Sequence, residues 1–484
     1  MHRVVARARL LACTALLGVS AVPAHAEELR DALIAAYQAN PTLQAARAGQ
    51  RATDETVPIE RASGLPSISV DATHTEILKM GPNSFTTVDR SLSADVTLSV
   101  PIYSGGAVRN SVKAAKKRVK AGQADLRATE SAVFSQVVAA YMDVILNEAV
   151  VGLNRNQVDV LDVNLQATSD RFEIGDLTRT DVAQSQARLA LARGDTRTAE
   201  ANLAAAREIY IQLVGTPPAE LQPPPPLPNL PASADEAVGV ALENNPDVLA
   251  ARERSRAAEY DIDVAGASRL PRVSVFTSGT YDDYYDSLKG SFSGFAYEQS
   301  GTSAQAGVRA TVPIYQGGLP AARRRQAQAS ASAALEQEIA IERDVIAQTR
   351  AAYSSWQAAQ ELIASTQLAV DAAALSLEGV RAENSVGNRT ILDILDAEQE
   401  LLQARVRLAT AQRNAYVAGF SLLAAMGRAE AKDLNLDGGA LYDPQDNYRR
   451  VRGKWFDWDD DPAPQAQSTR TVDTPVQDGS IPEE

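Results

Sequence analysis

The chain has 484 residues, 47 Lys and Arg against 61 Asp and Glu, three histidines and one cysteine, for a formal net charge of −14. An acidic balance argues against nucleic acid, whose phosphates demand an excess of cations. So few His and Cys exclude Ser-His-Asp and Cys-His catalysis and His/Cys zinc sites, and no G-x-x-x-x-G-K-[ST] loop is present for nucleotide hydrolysis.

Residues 1–26 read as a secretory signal peptide. Arg3, Arg7 and Arg9 precede a 13-residue apolar core from Leu10 to Val22, and Ala24-His25-Ala26 is an A-x-A cleavage site. The mature chain is therefore expected to begin at Glu27. The apolar core is too short to span a bilayer. Leu10-Leu11-Ala12-Cys13 is a partial lipoprotein signal, but few apolar residues precede the cysteine and a good cleavage site follows it. Loss of the leader removes Cys13, His2 and His25 and moves the formal charge to −17. Disulfides and thiolate metal sites are then excluded. His74 remains, in a predicted strand, with no obvious partner. No run of 18 or more apolar residues follows, so no helix is expected to cross a membrane.

Residues 27–215 form a first structural half. Ile68, Val70 and Ala72 alternate with Ser67, Ser69 and Asp71; later Leu92, Ala94, Val96, Leu98 and Val100 alternate with Ser91, Ser93, Asp95, Thr97 and Ser99. Period two marks strands with one apolar face. Each is about ten residues, the length a tilted strand needs to cross a bilayer. Gly81-Pro82-Asn83-Ser84 turns the chain between them. From Ala107 to about Phe172 there is no proline, which predicts a helix on the order of 100 Å long. Val137, Val144, Val151, Val158 and Leu165 fall at strict sevens, a coiled-coil seam. The other faces are rich in Gln, Asn, Asp, Arg and Ala, which keeps this helix out of lipid. A tight turn at Gly175 leads to a return helix from Thr178 to about Val214.

Residues 216–233 are a Pro-rich connector, stiff and extended. Residues 234–427 then repeat the first half. Val100-Pro101-Ile102-Tyr103-Ser104-Gly105-Gly106 recurs as Val312-Pro313-Ile314-Tyr315-Gln316-Gly317-Gly318, 212 positions on. Gly175 with Asp181 recurs as Gly387 with Asp393, and Gly215 as Gly427, at the same offset. Asn40-Pro41 and Leu65-Pro66 recur as Asn245-Pro246 and Leu270-Pro271, offset by 205. Val273, Val275 and Thr277, then Ala304, Ala306, Val308, Ala310 and Val312, give the second hairpin. Trp356, Ile363, Val370 and Leu377 continue the seam, and Thr390 to about Met426 is the second return helix. Residues 428–458 follow, ending in Trp455-Phe456-Asp457-Trp458, and 459–484 are expected to be a disordered acidic tail.

Four strands cannot close a barrel, for which about eight is the minimum, and open edges in lipid leave backbone groups unpaired. If the strands span a membrane, several chains must share one barrel. At this point the chain resembles the TolC-type outer-membrane channels of tripartite efflux and type I secretion. The resemblance covers about Glu27 to Leu436. It rests on the duplicated Val-Pro-Ile-Tyr-x-Gly-Gly, on the turns Arg171-Phe172-Glu173-Ile174-Gly175-Asp176-Leu177-Thr178-Arg179-Thr180-Asp181-Val182 and Val386-Gly387-Asn388-Arg389-Thr390-Ile391-Leu392-Asp393-Ile394-Leu395-Asp396-Ala397, and on the element order.

The resemblance implies an α+β membrane protein, internally duplicated. Each chain would give four strands to a trimeric 12-stranded β-barrel that continues as a long α-helical coiled-coil barrel through the periplasm. Residues 216–233 and 428–458 would form a belt around it. The implied partners are the other copies of the homotrimer, outer-membrane lipid, a periplasmic membrane-fusion adaptor and an inner-membrane transporter, ABC or proton-driven; no cofactor and no metal is implied. A mature chain without cysteine looks more like the secretion-type branch than the lipoprotein branch. The family closes its periplasmic tip by contacts around the helix turns. These carry over to Thr180 and Asp181 on the first turn and Arg389, Asp393 and Asp396 on the second. Members often have a tyrosine three residues before the second-turn glycine, where this chain has Asn384. Thr178-x-x-Asp181 and Thr390-x-x-Asp393 also fit helix capping, which accounts for two of these acids but not for Asp396. On this reading Asp393 and Asp396 ring the mouth with carboxylates, and Arg389 ties neighbouring helices. Two other classes fit parts of the chain: a periplasmic coiled-coil adaptor, without membrane-length hairpins, and a secreted carboxylate-based enzyme.

Overall fold

A computed structural model describes residues 27–79, 86–290, 296–436 and 441–481. The signal peptide, its cleavage site and the turn at 81–84 lie outside the described residues. The first half gives α1 (Leu29–Ala39), α2 (Pro41–Asp54), α3 (Thr56–Ala62), β1 (Ser67–Glu76), β2 (Thr86–Thr87), β3 (Arg90–Tyr103), α4 (Ala107–Glu173) and α5 (Arg179–Val214). The second gives α6 (Ala234–Asn244), α7 (Pro246–Ala267), β4 (Arg272–Asp283), β5 (Lys289–Gly290), β6 (Ser300–Thr311), α8 (Leu319–Ser385) and α9 (Ile391–Ala425), and α10 (Pro444–Val451) follows.

The duplication is visible at the level of single side chains. α4 and α8 are both 67 residues long. Each follows its strand through a Gly-Gly corner in which all four glycines hold positive φ, a conformation that a Cβ would strain. Asn40 and Asn245 cap α2 and α7 and each has proline at the first helical position. Each Asn also donates from Nδ2 to a return helix of its own repeat, Asn40 to the Leu213 carbonyl and Asn245 to the Ala425 carbonyl, both at 2.9 Å.

The long strands form one antiparallel sheet in the order β1-β3-β4-β6. The register brings the expected apolar positions to one face: Ile68 opposite Leu98, Val70 opposite Val96, Val100 opposite Val275, and Val275 opposite Val308. The two halves therefore meet at β3 and β4, and β1 and β6 are left as open edges. A short β2–β5 pairing, not expected from the pattern, joins the two hairpins beyond the sheet.

The main core lies midway along α4. Phe134, Val137, Tyr141, Val144 and Val151 pack there with Leu203 and Tyr210 of α5, Phe420 and Leu423 of α9, and Leu33 of α1. Three of the heptad valines are in this cluster, as the seam predicts. Leu221 of the connector and Ala429, Ala431 and Leu436 beyond α9 close it from outside. One window of α4 is apolar enough by composition to cross a membrane, contrary to the sequence expectation; burial of its middle in this core is what that apolarity serves.

The tail corrects a second expectation. Residues 459–481 contain no helix or strand, yet they do not float free. The Gln477 amide donates to Glu208, Arg207 donates to the carbonyls of Asp478 and Ser480, and Ile481 packs on the main core. Gly479 lies so close to α5 that an added Cβ would stand 2.2 Å from the Glu200 carbonyl oxygen. The strap enters a groove of about 1420 Å³ between α4 and α5, lined by Gly152, Arg155 and Arg197. Composition predicted disorder because it counts only missing apolar residues; it does not register backbone carbonyls offered to arginines on a neighbouring helix.

Candidate periplasmic gate

Both turns between long and return helices are built the same way. Gly175 and Gly387 hold φ of 84° and 83°. Thr178 then caps α5: its amide and hydroxyl donate to Asp181 Oδ2 at 2.8 and 2.7 Å, and the Asp181 amide returns a bond to the threonine Oγ1. Thr390 and Asp393 repeat the box on α9 at 2.9 and 2.7 Å. These bonds to Thr178 and to Thr390 hold the Asp181 and Asp393 carboxyls below the ordinary range. Thr180 is exposed on the first turn of α5.

Arg389 sits in the turn between α8 and α9 and reaches a carboxylate on each. Its Nε donates to Glu383 at 2.7 Å, and its Nη1 lies 3.8 Å from Asp393, so both partners belong to its own hairpin. The bond to Glu383 and that residue's charge push the Arg389 guanidinium pKa further up. Asn384, at the position where the tyrosine was expected, donates to the Arg389 carbonyl at 2.7 Å and so closes the same turn.

The contacts that join the two helix pairs come from residues one turn further in. Asp396 accepts from Arg188 Nη2 of α5 at 2.6 Å. Leu395, 1% exposed, inserts beside Leu161 of α4 and Leu189 and Ala192 of α5. Arg188 and Leu395 were not singled out in the sequence. Leu395 has a readable signal, since it is an apolar residue beside the predicted gate acid. Arg188 has none, because its partner is 208 positions away. Within the second pair, Arg381 donates to the buried Glu398. Among the described residues no cluster of three His, Cys, Asp or Glu is suited to a metal ion.

The family description "outer membrane efflux protein" matches residues 33–216 and 237–428, one span for each repeat. The chain belongs to the outer membrane efflux protein family. It is 33% identical over 453 residues to the outer membrane efflux protein BepC of Brucella suis, covering 93% of this chain and 96% of the relative. It is 26% identical to TolC of Escherichia coli, over 87% and 86% of the two chains. It is 28% identical to the alkaline protease secretion protein AprF of Pseudomonas aeruginosa, over 64% of each. Among solved structures, the fold matches the Campylobacter jejuni CmeC outer membrane channel with a TM-score of 0.73 at 17% identity, over 88% of this chain and 89% of that one. It matches VceC of Vibrio cholerae at 0.70 and 22%, over 82% and 96%. As a member of this family the protein resides in the outer membrane, its helices in the periplasm. The two turns then mark the periplasmic tip, the end of α4 and α8 farthest from the strands.

Proposed function

We propose that three copies of this chain form a passive exit duct for a tripartite efflux pump or type I secretion system. Three sheets close one 12-stranded barrel, and the helices continue it as a periplasmic tunnel. A membrane-fusion adaptor and an inner-membrane transporter, ABC or proton-driven, supply cargo and energy from below.

The observation that carries this reading is the contrast between the edges and the middle of the chain. β1 is exposed along its whole length and β6 nearly so, while β3 and β4 between them are partly covered. Twenty residues of α4 are buried, against five in α8 of the same length. An edge strand in lipid must be paired, and a polar helix of 67 residues needs partners along its side. One rotation that brings β6 and α8 of one copy to β1 of the next satisfies both, and threefold closure removes every edge. Native mass in mild detergent tests it: a trimer is expected, and a monomer or dimer overturns it.

At the tip, Thr180, Asp181, Arg389, Asp393 and Asp396 line the mouth in this reading. Asp393 and Asp396 are three apart on α9 and share one side of its first turn. Threefold symmetry brings six carboxylates round the axis, which favours cations. Arg188 screens Asp396, so release of that pair makes the mouth more cation-selective. Single-channel recording with Asp393→Ala and Asp396→Ala together tests it; unchanged selectivity removes these acids from the pore.

A further inference from the structure

The chain from α10 onward climbs toward the sheet and turns back there. At its start, Pro444 and Gln445 sit over the groove between α4 and α7, near Gln123 and Leu249. Tyr448 packs against the Val57, Ala115 and Val119 cluster, nearer the head of α4. Arg61, in the last turn of α3, then donates to the Arg452 carbonyl at 3.1 Å. The chain thus rises toward β1 and moves sideways onto α3. The next residues form a loop clamped at its base: Lys454 pairs with Asp459 at 3.0 Å and Arg450 with Asp461 at 2.7 Å. Its apex is Trp455-Phe456-Asp457-Trp458. The three rings are 76, 62 and 83% exposed, and Trp455 and Phe456 meet edge to face. Among the described residues, Asp457 and Asp460 have no cation partner in their own chain.

A complementary surface stands at the same height on the opposite edge. By the 212-residue repeat, Arg323, Arg324 and Arg325 of α8 occupy the places of Ser111, Val112 and Lys113 of α4. Val112 flanks the cluster that holds Tyr448. Arg323 and Arg325 are exposed and, among the described residues, have no acidic partner in their own chain. Arg324 lies against α7 at Gly266 with its Nε buried and unpartnered. Packing beneath the sheet runs α3–α4–α7–α8, so α3 and α8 are the two free ends of the arc.

We propose that the 455–461 loop of one chain clasps the head of α8 in the next. Asp457 and Asp460 pair with Arg323 and Arg325, and the aromatic rings cover the arginine stems and stack on their guanidinium planes. This rests on the trimer reading above, and it assigns a partner, a second copy of this chain, to the aromatic residues that the channel architecture alone does not use. Closure of β6 onto the next copy's β1 brings α8 to α3, where the loop is anchored. Charge complementarity favours this partner over lipid, since an apex flanked by acids is poorly suited to a phospholipid surface.

The mature chain has no cysteine, so Asp457→Cys with Arg323→Cys in the full-length membrane protein is a clean probe. A short bismaleimide should give covalent dimers and trimers with the pair and none with either change alone. Asp457→Lys with Asp460→Lys should lose the detergent-resistant trimer, and adding Arg323→Asp with Arg325→Asp should restore it. A wild-type trimer without cross-linking or charge-reversal effect overturns the clasp and leaves the trimer standing. A wild-type monomer removes both. Quenching of Trp455 and Trp458 by brominated phospholipid, in a Trp356→Phe background, would put the loop in the leaflet and also overturn the clasp.

Discussion

Arg188→Ala tests whether the tip is held by the contact between helix pairs or by the turns themselves. The Arg188–Asp396 pair is short at 2.6 Å, but its side chains are 36 and 59% exposed. Such a pair contributes about 0.2–1 kcal/mol, hence about 0.6–3 kcal/mol over the three chains of the proposed trimer. The closed-to-open ratio should fall by about 3-fold to about 160-fold. Leu395 sits beside it and is buried. Leu→Ala at such a site costs about 2–5 kcal/mol per chain, so the apolar contact outweighs the ion pair. Arg188→Ala should therefore raise resting conductance partially, and Leu395→Ala should open the tip almost fully. Salt separates the two: screening falls from about 10 Å at 0.1 M to about 3 Å at 1 M, so the arginine effect should shrink at high salt and the leucine effect should persist. Planar-bilayer recording of Arg188→Ala, Asp396→Ala and their double closes the cycle. If the double equals the sum of the singles, or if Arg188→Ala leaves conductance unchanged at 0.1 M, the pair does not hold the tip.

Glu130 is half-buried beside Glu430 and accepts from the Ala431 amide at 2.6 Å; burial, more than the neighbouring charge, raises its pKa above the usual 4.5. A raised carboxyl binds its proton more tightly in the fold, so stability falls as pH rises from 4.5 through the raised value. Glu130→Gln should raise the melting temperature at neutral pH, with the gain fading toward pH 4.5; an equal gain at every pH refutes the assignment. Gly479→Val should detach the strap from α5, read as new protease cleavage after residue 460 with the trimer intact; unchanged protection refutes the docked strap. Tyr210 is fully buried and donates to Glu27 Oε1 at 2.5 Å, so Tyr210→Phe should destabilise by about 1–3 kcal/mol, measured by thermal melting. The mature protein should begin at Glu27 without lipid; an intact mass showing acylation at Cys13 refutes that.

What the sequence made legible was whatever repeats locally. Alternation along β1 and β3, the seam through Val137 to Leu165 and the capping boxes at Thr178 and Thr390 depend on neighbours within a few residues, and each reappears where its spacing put it. The duplication extended this reach, since a motif met twice at one offset marks equivalent places in two halves. Partners of long side chains were not legible. Nothing in the spacing singled out Glu383, six residues back on α8, as the carboxylate that Arg389 meets within the chain. Arg188 was overlooked because its carboxylate lies in the other half of the chain.

The same contrast bears on the ring proposed above for this duplicated chain. Two equal halves could pair with each other and stop as a monomer. Here each repeat gives the same strands and the same long helix, but the pieces outside the repeat treat them unequally. α4 is packed by α1, α2 and α3 and also by α7 and α9 of the second half, while α8 packs with α6, α7 and α9 of its own half. The C-terminal segment adds to the first half twice, through α10 on α2 and through the strap along α5. In the proposed trimer the exposed α8 and β6 of one copy meet the first half of the next, whose edge strand β1 is equally exposed. The proposed contact is heterologous, and a heterologous contact either closes into a ring or runs on as a fibre. Twist of the sheet sets the rotation between copies, and with four strands per chain threefold closure gives the 12 strands of the proposed barrel.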